Sequence, residues 1–458
     1  MKRLSISILT AFFFALFAGA APLSLDSCLN LARKNNADIL SSQLEIDKAR
    51  EVKAQVFTKF FPQVNGNFLA YHALNPLVEF GISDIQSNDA RQILQALYNL
   101  VKGETDLSDQ ISLMRHGLLL SATAVQPVFV GGRIVNANKL ASLGVEAAKL
   151  QAQVSERDIL EDIESTYFLV LGLQDKVATV ESTLSLLDSL HNTVNIALRA
   201  GLVTKSDALQ IELKKNEMRA TQLQLRNAIT LASQLLCLQI GIDCPASGLT
   251  LADDALLSVN SPNSNSFFAL ENLSLVPEEN FAVSSRPEHQ LLALQVEAEH
   301  LRKRITIGAA LPQIALGGAY YWGNPVKTDY NHNGLLFATA VVPITGWWET
   351  SHKIREHNIA IRQYELQRDN LIRKMSLEQQ QAYNQMLEAA ALLRSDSSAL
   401  EMAEENYRLA TLNYQAGTNT LNDVLQANAL LLQAQNALTD RKITFLTARR
   451  RYQDLCGQ

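Results

Sequence analysis

The chain has 458 residues, a formal net charge of −6, and 47% hydrophobic and 19% charged residues. That length allows two or three domains or one elongated body. Nucleic acids attract basic surfaces, so the mildly acidic balance argues against a nucleic-acid partner.

Residues 1–20 are predicted to be a secretory signal peptide. Lys2 and Arg3 precede an apolar run, and the small residues 18–20 offer a cleavage site. The run is shorter than the roughly 20 residues that a membrane-spanning helix needs, which disfavours an anchor helix. Removing the segment leaves an exported chain with a net charge of −6 − (+2) = −8.

Four cysteines would then meet an oxidising compartment: Cys28, Cys237, Cys244 and Cys456. Cys237 and Cys244 are close enough in sequence to form a disulfide, but four buried thiols are the simpler interpretation. Whether any disulfide forms is left open. Lipidation of Cys28 is disfavoured because the residue lies well beyond the apolar core of the signal peptide.

The next part of the chain changes from a helical to a strand pattern. Apolar residues at helical spacing predict a helix from Leu25 to Phe60, which Pro62 ends. Apolar and polar residues then alternate, which predicts a β-hairpin over 63–126 whose second strand, Leu118 to Gln126, stops at Pro127.

This hairpin contains an insert, residues 73–115, with a short helix predicted over 88–101. Outer loops of membrane barrels are the long ones, so the insert is placed at the cell exterior, and its role is left open. A second hairpin is predicted over 313–342. Its last strand is apolar on both faces, so the sequence does not indicate which face points outward.

The strands are about ten residues long, as a tilted membrane strand requires. Any one hairpin alone would fit the edge of a soluble sandwich, but two hairpins in an exported chain favour a membrane β-barrel. Four strands cannot close a barrel, which needs about eight, so several chains must contribute. Trp347 and Trp348 follow the last strand and are predicted to lie at the membrane interface.

Two proline-free stretches, Arg133 to Arg199 and Glu349 to Gln415, predict helices of about 100 Å. Each is followed by a turn and a second long helix. A seven-residue apolar spacing in the final helix predicts a coiled-coil seam, made of Val424, Leu431, Leu438, Phe445 and Tyr452.

The turns that end the long helices, 200–207 and 416–423, share one pattern: a glycine that can close a helix, then a Thr–Asp capping box. The residues are Gly201, Thr204 and Asp207 in the first turn, and Gly417, Thr420 and Asp423 in the second. The two glycines are 417 − 201 = 216 residues apart, and Pro127 and Pro343 keep that interval. The chain is therefore predicted to contain two tandem repeats, 21–240 and 284–458, joined by a linker over 241–283.

These turns, the Pro-Gln pairs that begin the two hairpins at Pro62 and Pro312, and the run Gln126-Pro127-Val128-Phe129-Val130-Gly131-Gly132 resemble the TolC family of outer-membrane efflux proteins. The resemblance covers essentially the whole mature chain. It implies a homotrimer in the outer-membrane lipid, with a 12-stranded barrel and an α-helical periplasmic tunnel. It also implies a periplasmic adaptor, contacted by Gly201, Thr204, Gly417 and Thr420, and an inner-membrane pump or exporter.

The resemblance further implies an aperture at the tips of the tunnel. Asp423 falls on an acidic position of the family, Gln426 on a second acidic position, and Asn419 on the position of an arginine. Gln426 and Asn419 lack the charges of those two family positions, which disfavours a strong ionic latch and leaves a hydrogen bond between Tyr414 and Asp207 as the alternative. Helix capping is the simpler role for Asp207 and Asp423, and both roles can hold together.

The sequence therefore predicts a passive export conduit that is not an enzyme and needs no cofactor or metal. Gly131-Gly132 lacks the lysine of a phosphate loop, and His352 and His357 do not share a helical face. The alternative is a periplasmic adaptor, which normally has a single helical hairpin. The cargo and the class of pump are left open.

Overall fold

The computed structural model describes residues 22–74, 78–81, 92, 110–113, 116–201, 203–244, 249, 251–252, 286–323 and 331–456. The predicted signal peptide, most of the linker and all but one residue of the helix predicted over 88–101 lie outside these residues. The chain forms two compact units. The sheet unit comprises 49–145 and 295–364, and the helical unit comprises 1–48, 146–294 and 365–458.

Most of the described residues are helical. In chain order the elements are α1 (Leu25–Asn35), α2 (Ala37–Phe57), a 3-10 turn (Thr58–Phe60), β1 (Gln63–His72), β2 (Val78–Gly81), β3 (Gln110–Leu113), β4 (His116–Phe129), α3 (Arg133–Arg199), α4 (Lys205–Ile240), α5 (Pro287–Ala309), β5 (Gln313–Gly323), β6 (Asn331–Val341), α6 (Gly346–Gln415) and α7 (Leu421–Cys456). None of the helices in the described part of the chain has a stretch long and apolar enough to cross a bilayer.

The first predicted helix is broken at Asn36, which the periodicity did not reveal. The Asn36 backbone is extended, with ψ 127°. Its Oδ1 accepts hydrogen bonds from the backbone N–H groups of Asp38 and Ile39 at 2.9 and 3.0 Å, and its Nδ2 donates to the Gln239 carbonyl at 2.6 Å. Because Asn36 satisfies the first free amides of α2, the chain can end one helix and begin another without losing the apolar pattern.

The helical unit has a core where α1, α3 and α4 meet, with Tyr167 at its centre. This side chain is fully buried, and its hydroxyl donates to the carbonyls of Leu23 and Ala252 at 3.2 and 3.3 Å. A second apolar cluster joins α6 to α7 and contains the predicted seam residues Leu431, Leu438 and Phe445, with Tyr452 packed against it. The seam prediction is confirmed, because these side chains meet another helix rather than solvent.

The sheet unit contains a four-stranded antiparallel sheet in the order β1-β4-β5-β6. Strands form in both predicted hairpins, but β4 does not stop at Pro127 and continues to Phe129. The pairing with β5 shifts register between these two residues, and such a bulge tolerates a residue that cannot donate a ladder hydrogen bond. The short pair β2–β3, within the predicted insert, was not predicted from the sequence.

The register decides which side chains share a face of the sheet. Tyr320 on β5 lies opposite Ala122 on β4 and Gly334 on β6, and Gly318 lies opposite Leu336. Residues two apart on a strand point the same way. One face therefore carries the side chains of Val64, Phe68, Leu120, Ile314, Leu316, Tyr320, Trp322 and Leu336. On β6 this face carries Leu336, which is 92% exposed.

The backbone of α5 approaches the turn before α3 very closely. A Cβ at Gly308 would overlap the carbonyl oxygen of Gly131, and Gly131 itself has φ 63°. Position 308 requires glycine because there is no space for a Cβ atom. Position 131 requires glycine because residues with a side chain rarely adopt a positive φ. This contact fixes α5 next to the end of β4 in the sheet unit.

Replacing Gly308 with alanine is expected to destabilise the folded protein by about 1–3 kcal/mol, since the added methyl group must displace backbone atoms. Thermal unfolding in detergent, followed by circular dichroism, measures the change. Gly144→Ala is the matched control, because Gly144 is also helical but has open space around it. That variant is expected to gain up to about 1 kcal/mol from helix propensity. Equal unfolding temperatures for wild type and Gly308→Ala would contradict the close contact.

Candidate functional site

The first tip joins α3 to α4 and has the predicted capping box. Gly201 has φ 72°, and its N–H donates to the Leu198 carbonyl at 3.0 Å. The Asp207 carboxylate accepts hydrogen bonds from the N–H and the hydroxyl of Thr204 at 2.9 and 2.8 Å. In return the Thr204 hydroxyl oxygen accepts from the Asp207 N–H at 3.3 Å. These bonds satisfy amides at the start of α4 that have no partner within the helix.

The second tip, between α6 and α7, repeats this geometry. Gly417 has φ 77°, and the Asp423 carboxylate accepts from the N–H and the hydroxyl of Thr420, both at 2.8 Å. The hydrogen bonds from the Thr420 backbone and side chain hold the pKa of Asp423 below its usual range. The Asn413 carbonyl accepts from the N–H of Asn419 at 3.3 Å and so closes the end of α6.

The two tips pack against each other through an apolar cluster. It contains Leu187, Val194, Ile211, Leu421 and Leu425. Tyr414 packs against this cluster and also against a neighbouring one formed by Ala410, Val424 and Ala427. The ring of Tyr414 is therefore shared between the hairpin of the first repeat and that of the second. Burial, and then the negative charge of Asp207, raise the pKa of the Tyr414 hydroxyl.

The structure brings Tyr414 and Asp207 near each other but does not join them by a hydrogen bond within the described part of the chain. The Asp207 carboxylate instead accepts from Thr204, as a helix cap does. The contact between the tips thus depends on apolar packing around Tyr414. The role of this pair as a latch stays a prediction.

The remaining predicted site residues fall in two places. Asn419 is half-buried in the second tip, whereas Asp423 and Gln426 are exposed and three residues apart on α7. The two tryptophans belong to the sheet unit, in the first turn of α6. Trp347 donates its indole N–H to the Ala310 carbonyl at 2.9 Å, and the side chain of Trp348 is 76% exposed.

Sequence reasoning missed a polar connection between α3 and α7. The Thr439 hydroxyl donates to Asp175 at 2.5 Å, and Lys176 forms an ion pair with Asp440 at 2.6 Å. Lys442 is buried beside them, and burial lowers its pKa while the charge of Asp175 opposes that shift. In the sequence, Thr439 and Lys442 lie between the seam residues Leu438 and Phe445. That position is the sequence feature that could have indicated their burial. These bonds link α3 of the first repeat to α7 of the second.

A sequence model described as outer membrane efflux protein matches residues 28–241 and 282–458, two segments close to the predicted repeats 21–240 and 284–458. No curated protein matches the sequence at a significant level. Solved structures with a similar fold include the outer-membrane channel OprN, with a TM-score of 0.72 and 14% identity over 94% of this chain and 89% of that one. VceC from Vibrio cholerae gives 0.69 and 15% over 94% and 96%, and CmeC from Campylobacter jejuni gives 0.72 and 12% over 94% and 85%. Identities this low establish the shared fold alone.

Replacing Asp423 with asparagine is expected to loosen the start of α7 at neutral pH. The substitution removes the charged carboxylate that accepts two hydrogen bonds from Thr420. The folded-state pKa of Asp423 is lowered, so its contribution is present above the unfolded value of about 3.9 and is lost as the pH falls through the folded value. Hydrogen exchange at the first α7 amides should therefore differ from wild type at neutral pH and converge in acid.

Two further variants test this interpretation. Thr420→Ala removes the same box from its other side and is expected to cost about 1 kcal/mol. Asn422→Ala is the control, since Asn422 is an exposed neighbour in the same turn. A pH-independent difference for Asp423→Asn would contradict the capping role of the carboxylate.

Proposed function

The chain belongs to the outer membrane efflux protein family, and we propose that it is the passive outer-membrane conduit of an efflux or type I secretion system. It is a channel protein rather than an enzyme. Solutes would pass from the periplasm or from an inner-membrane pump to the cell exterior through a pore that spans the outer membrane. The observation that carries this proposal is the four-stranded sheet, which has one apolar exposed face and two edges.

The apolar face fits contact with lipid. Val64, Phe68 and Leu336 lie on it and are each more than two thirds exposed. A patch of this kind is a liability in water, but it lowers the free energy when lipid tails cover it. Trp347 and Trp348 would lie at the membrane interface, where an indole ring meets both lipid and water.

The two edges support a trimer. β1 and β6 stand at the ends of the strand order, so each has a side without a partner strand among the described residues. Unpaired backbone groups cannot face the hydrocarbon core, because each would cost several kcal/mol. Pairing β6 of one chain with β1 of the next satisfies both edges. Three copies of a four-stranded sheet then give a 12-stranded barrel, large enough to close.

The exposed helical tips fit the periplasmic end of the conduit. Gly201, Thr204, Gly417 and Thr420 lie on the surface of the two turns, where a periplasmic adaptor could contact both repeats. The adaptor would connect the conduit to an inner-membrane pump or exporter that supplies the energy. Asp207, Tyr414, Asn419, Asp423 and Gln426 would line or close the aperture.

The aperture would be held shut mainly by burial of apolar surface. The Tyr414 ring packs with Leu421 and Leu425, whereas Asp207 is engaged as a helix cap. Water-exposed polar bonds contribute little net free energy because water replaces them. Opening would therefore require the tips to separate and expose this cluster.

Fractionation and reconstitution test the proposed function directly. The full chain is expected in the outer-membrane fraction and, after extraction, as a detergent-stable trimer by light scattering. In planar bilayers it should conduct ions weakly, because the tips restrict the pore. Recovery with the inner membrane, or as a water-soluble monomer, would contradict the proposal.

Single-channel recording of tip variants tests the closure. Tyr414→Ala removes the shared ring and is expected to raise conductance, because the packing between the tips is weakened. Truncating a fully buried aromatic side chain costs about 3–5 kcal/mol, and the half-buried Tyr414 should cost less. Tyr414→Phe combined with Asp207→Ala keeps the ring and should raise conductance less. Leu412→Ala, an exposed position on the same helix, is the control. If only the double variant opens the channel, the latch is polar and the apolar closure is wrong.

A further inference from the structure

Two cysteines meet where α4 ends. Cys237 is buried in the last turn of the helix, and Cys244 is exposed in the segment that follows. Their Sγ atoms are 2.7 Å apart. Even two carbon atoms prefer a separation of about 3.5–4.0 Å, so these sulfurs are closer than an ordinary non-bonded contact.

The backbone brings the two thiols together without depending on them. Gly241 adopts φ 78°, and the N–H groups of Gly241 and Ile242 both donate to the Cys237 carbonyl, at 2.9 and 3.0 Å. This left-handed ending reverses the chain and carries Cys244 back along α4. A Cβ at Gly241 would overlap the carbonyl oxygen of Asn35. The reversal is therefore fixed by close packing against α1.

We infer that Cys237 and Cys244 form a disulfide bond in the exported protein. The inference rests on the proposed function for the compartment, since disulfides persist outside the reducing cytosol. The bond would tie the last turn of α4 to the first residues of the chain that leads into the second repeat.

The reaction needs an oxidant, which a periplasmic dithiol–disulfide oxidoreductase supplies. The exposed Cys244 attacks as thiolate, the oxidant S–S bond breaks, and a mixed disulfide forms while one oxidant sulfur leaves as thiolate. Cys237 then loses its proton and attacks the Cys244 Sγ, which expels the second oxidant sulfur. Two protein thiols become one disulfide, and the oxidant disulfide becomes a dithiol.

The order of attack follows from burial. Burial, and then the hydrogen bond with Cys244, raise the pKa of Cys237 to about 12. A thiol with such a pKa is a poor first nucleophile in neutral solution. Cys244 is exposed, so an oxidant can reach it and deliver the activated sulfur to Cys237.

The other two cysteines stay reduced. Cys28 is fully buried, and burial raises its pKa to about 11. Cys456 is buried at the end of α7, where its sulfur accepts a hydrogen bond from Gln379 at 3.5 Å. In the described part of the chain, no set of three His, Cys, Asp or Glu side chains could hold a metal ion. A disulfide therefore fits the cysteine pair better than a metal centre does.

Peptide mapping of the full-length protein tests the bond. Protein isolated from the outer membrane is treated with N-ethylmaleimide under denaturing conditions and cleaved before aspartate. The four cysteines then fall in separate fragments, 26–37, 207–242, 243–252 and 454–458. We expect 207–242 and 243–252 as one species that reductant separates, with Cys28 and Cys456 alkylated. Alkylated Cys237 and Cys244 in outer-membrane protein would overturn the bond and leave the proposed function intact.

Variants and a second oxidant separate the two proposals further. Cys456→Ser should keep the joined species, and Cys244→Ser should lose it. Reductant should lower the unfolding temperature of wild type and Cys456→Ser but not of Cys244→Ser. If the chain is found in the cytoplasm, the proposed function fails. The purified protein is then treated with oxidised glutathione, where joining of the fragments supports the pairing and its absence overturns it.

Discussion

The antiparallel pairing of β4 with β5 is the constraint on which the sheet depends. β4 ends the hairpin of the first repeat, and β5 begins that of the second, so this ladder makes one sheet from two hairpins. It also fixes the register, and the register places Tyr320, Gly318 and Leu336 where they are. A shift by one residue would turn the side chains of Tyr320 and Leu336 to the opposite face. Together with the β1–β4 and β5–β6 ladders, the β4–β5 ladder sets the apolar face and leaves β1 and β6 at the edges of the sheet in the described part of the chain.

The tips of the helical hairpins solve a different physical problem. A helix end exposes backbone amides that need partners, and each tip supplies them within one turn through a threonine and an aspartate. Thr204 and Thr420 thereby engage the nearby carboxylates in their own helices. In the described part of the chain, the tips of the two repeats meet through apolar clusters against which Tyr414 packs. An arrangement of this kind can separate without leaving unpaired backbone groups behind.

The features that could be predicted from the sequence are those that local chemistry encodes. The capping boxes depend on residues three apart, and the α7 seam on a seven-residue spacing, so both could be read directly. The break at Asn36 was hidden because this one residue closes α1 with its backbone N–H and caps α2 with its side chain, so the apolar spacing continues across it. The extension of β4 past Pro127 depended on a bulge that only the partner strand reveals. The contacts of Asp175 with Thr439, and of Lys176 with Asp440, join residues far apart in sequence. No local pattern pairs such residues. Which β6 residues share a face with Tyr320 could likewise be known only from the β5–β6 register.

The β4–β5 ladder also has a consequence for biogenesis. Pro127 pairs with Ala315, so the partners are 315 − 127 = 188 residues apart. When β4 has left the ribosome, β1 has already been made but β5 has not, and strands that pair over such distances assemble late and slowly. The β1–β4 pair of the first half can therefore form early, but the edge of β4 that faces β5 must wait for the second half. A chain interrupted between the repeats would keep the β1–β4 pair but lack β5 and β6, so the four-stranded sheet forms only after the second repeat has been synthesised.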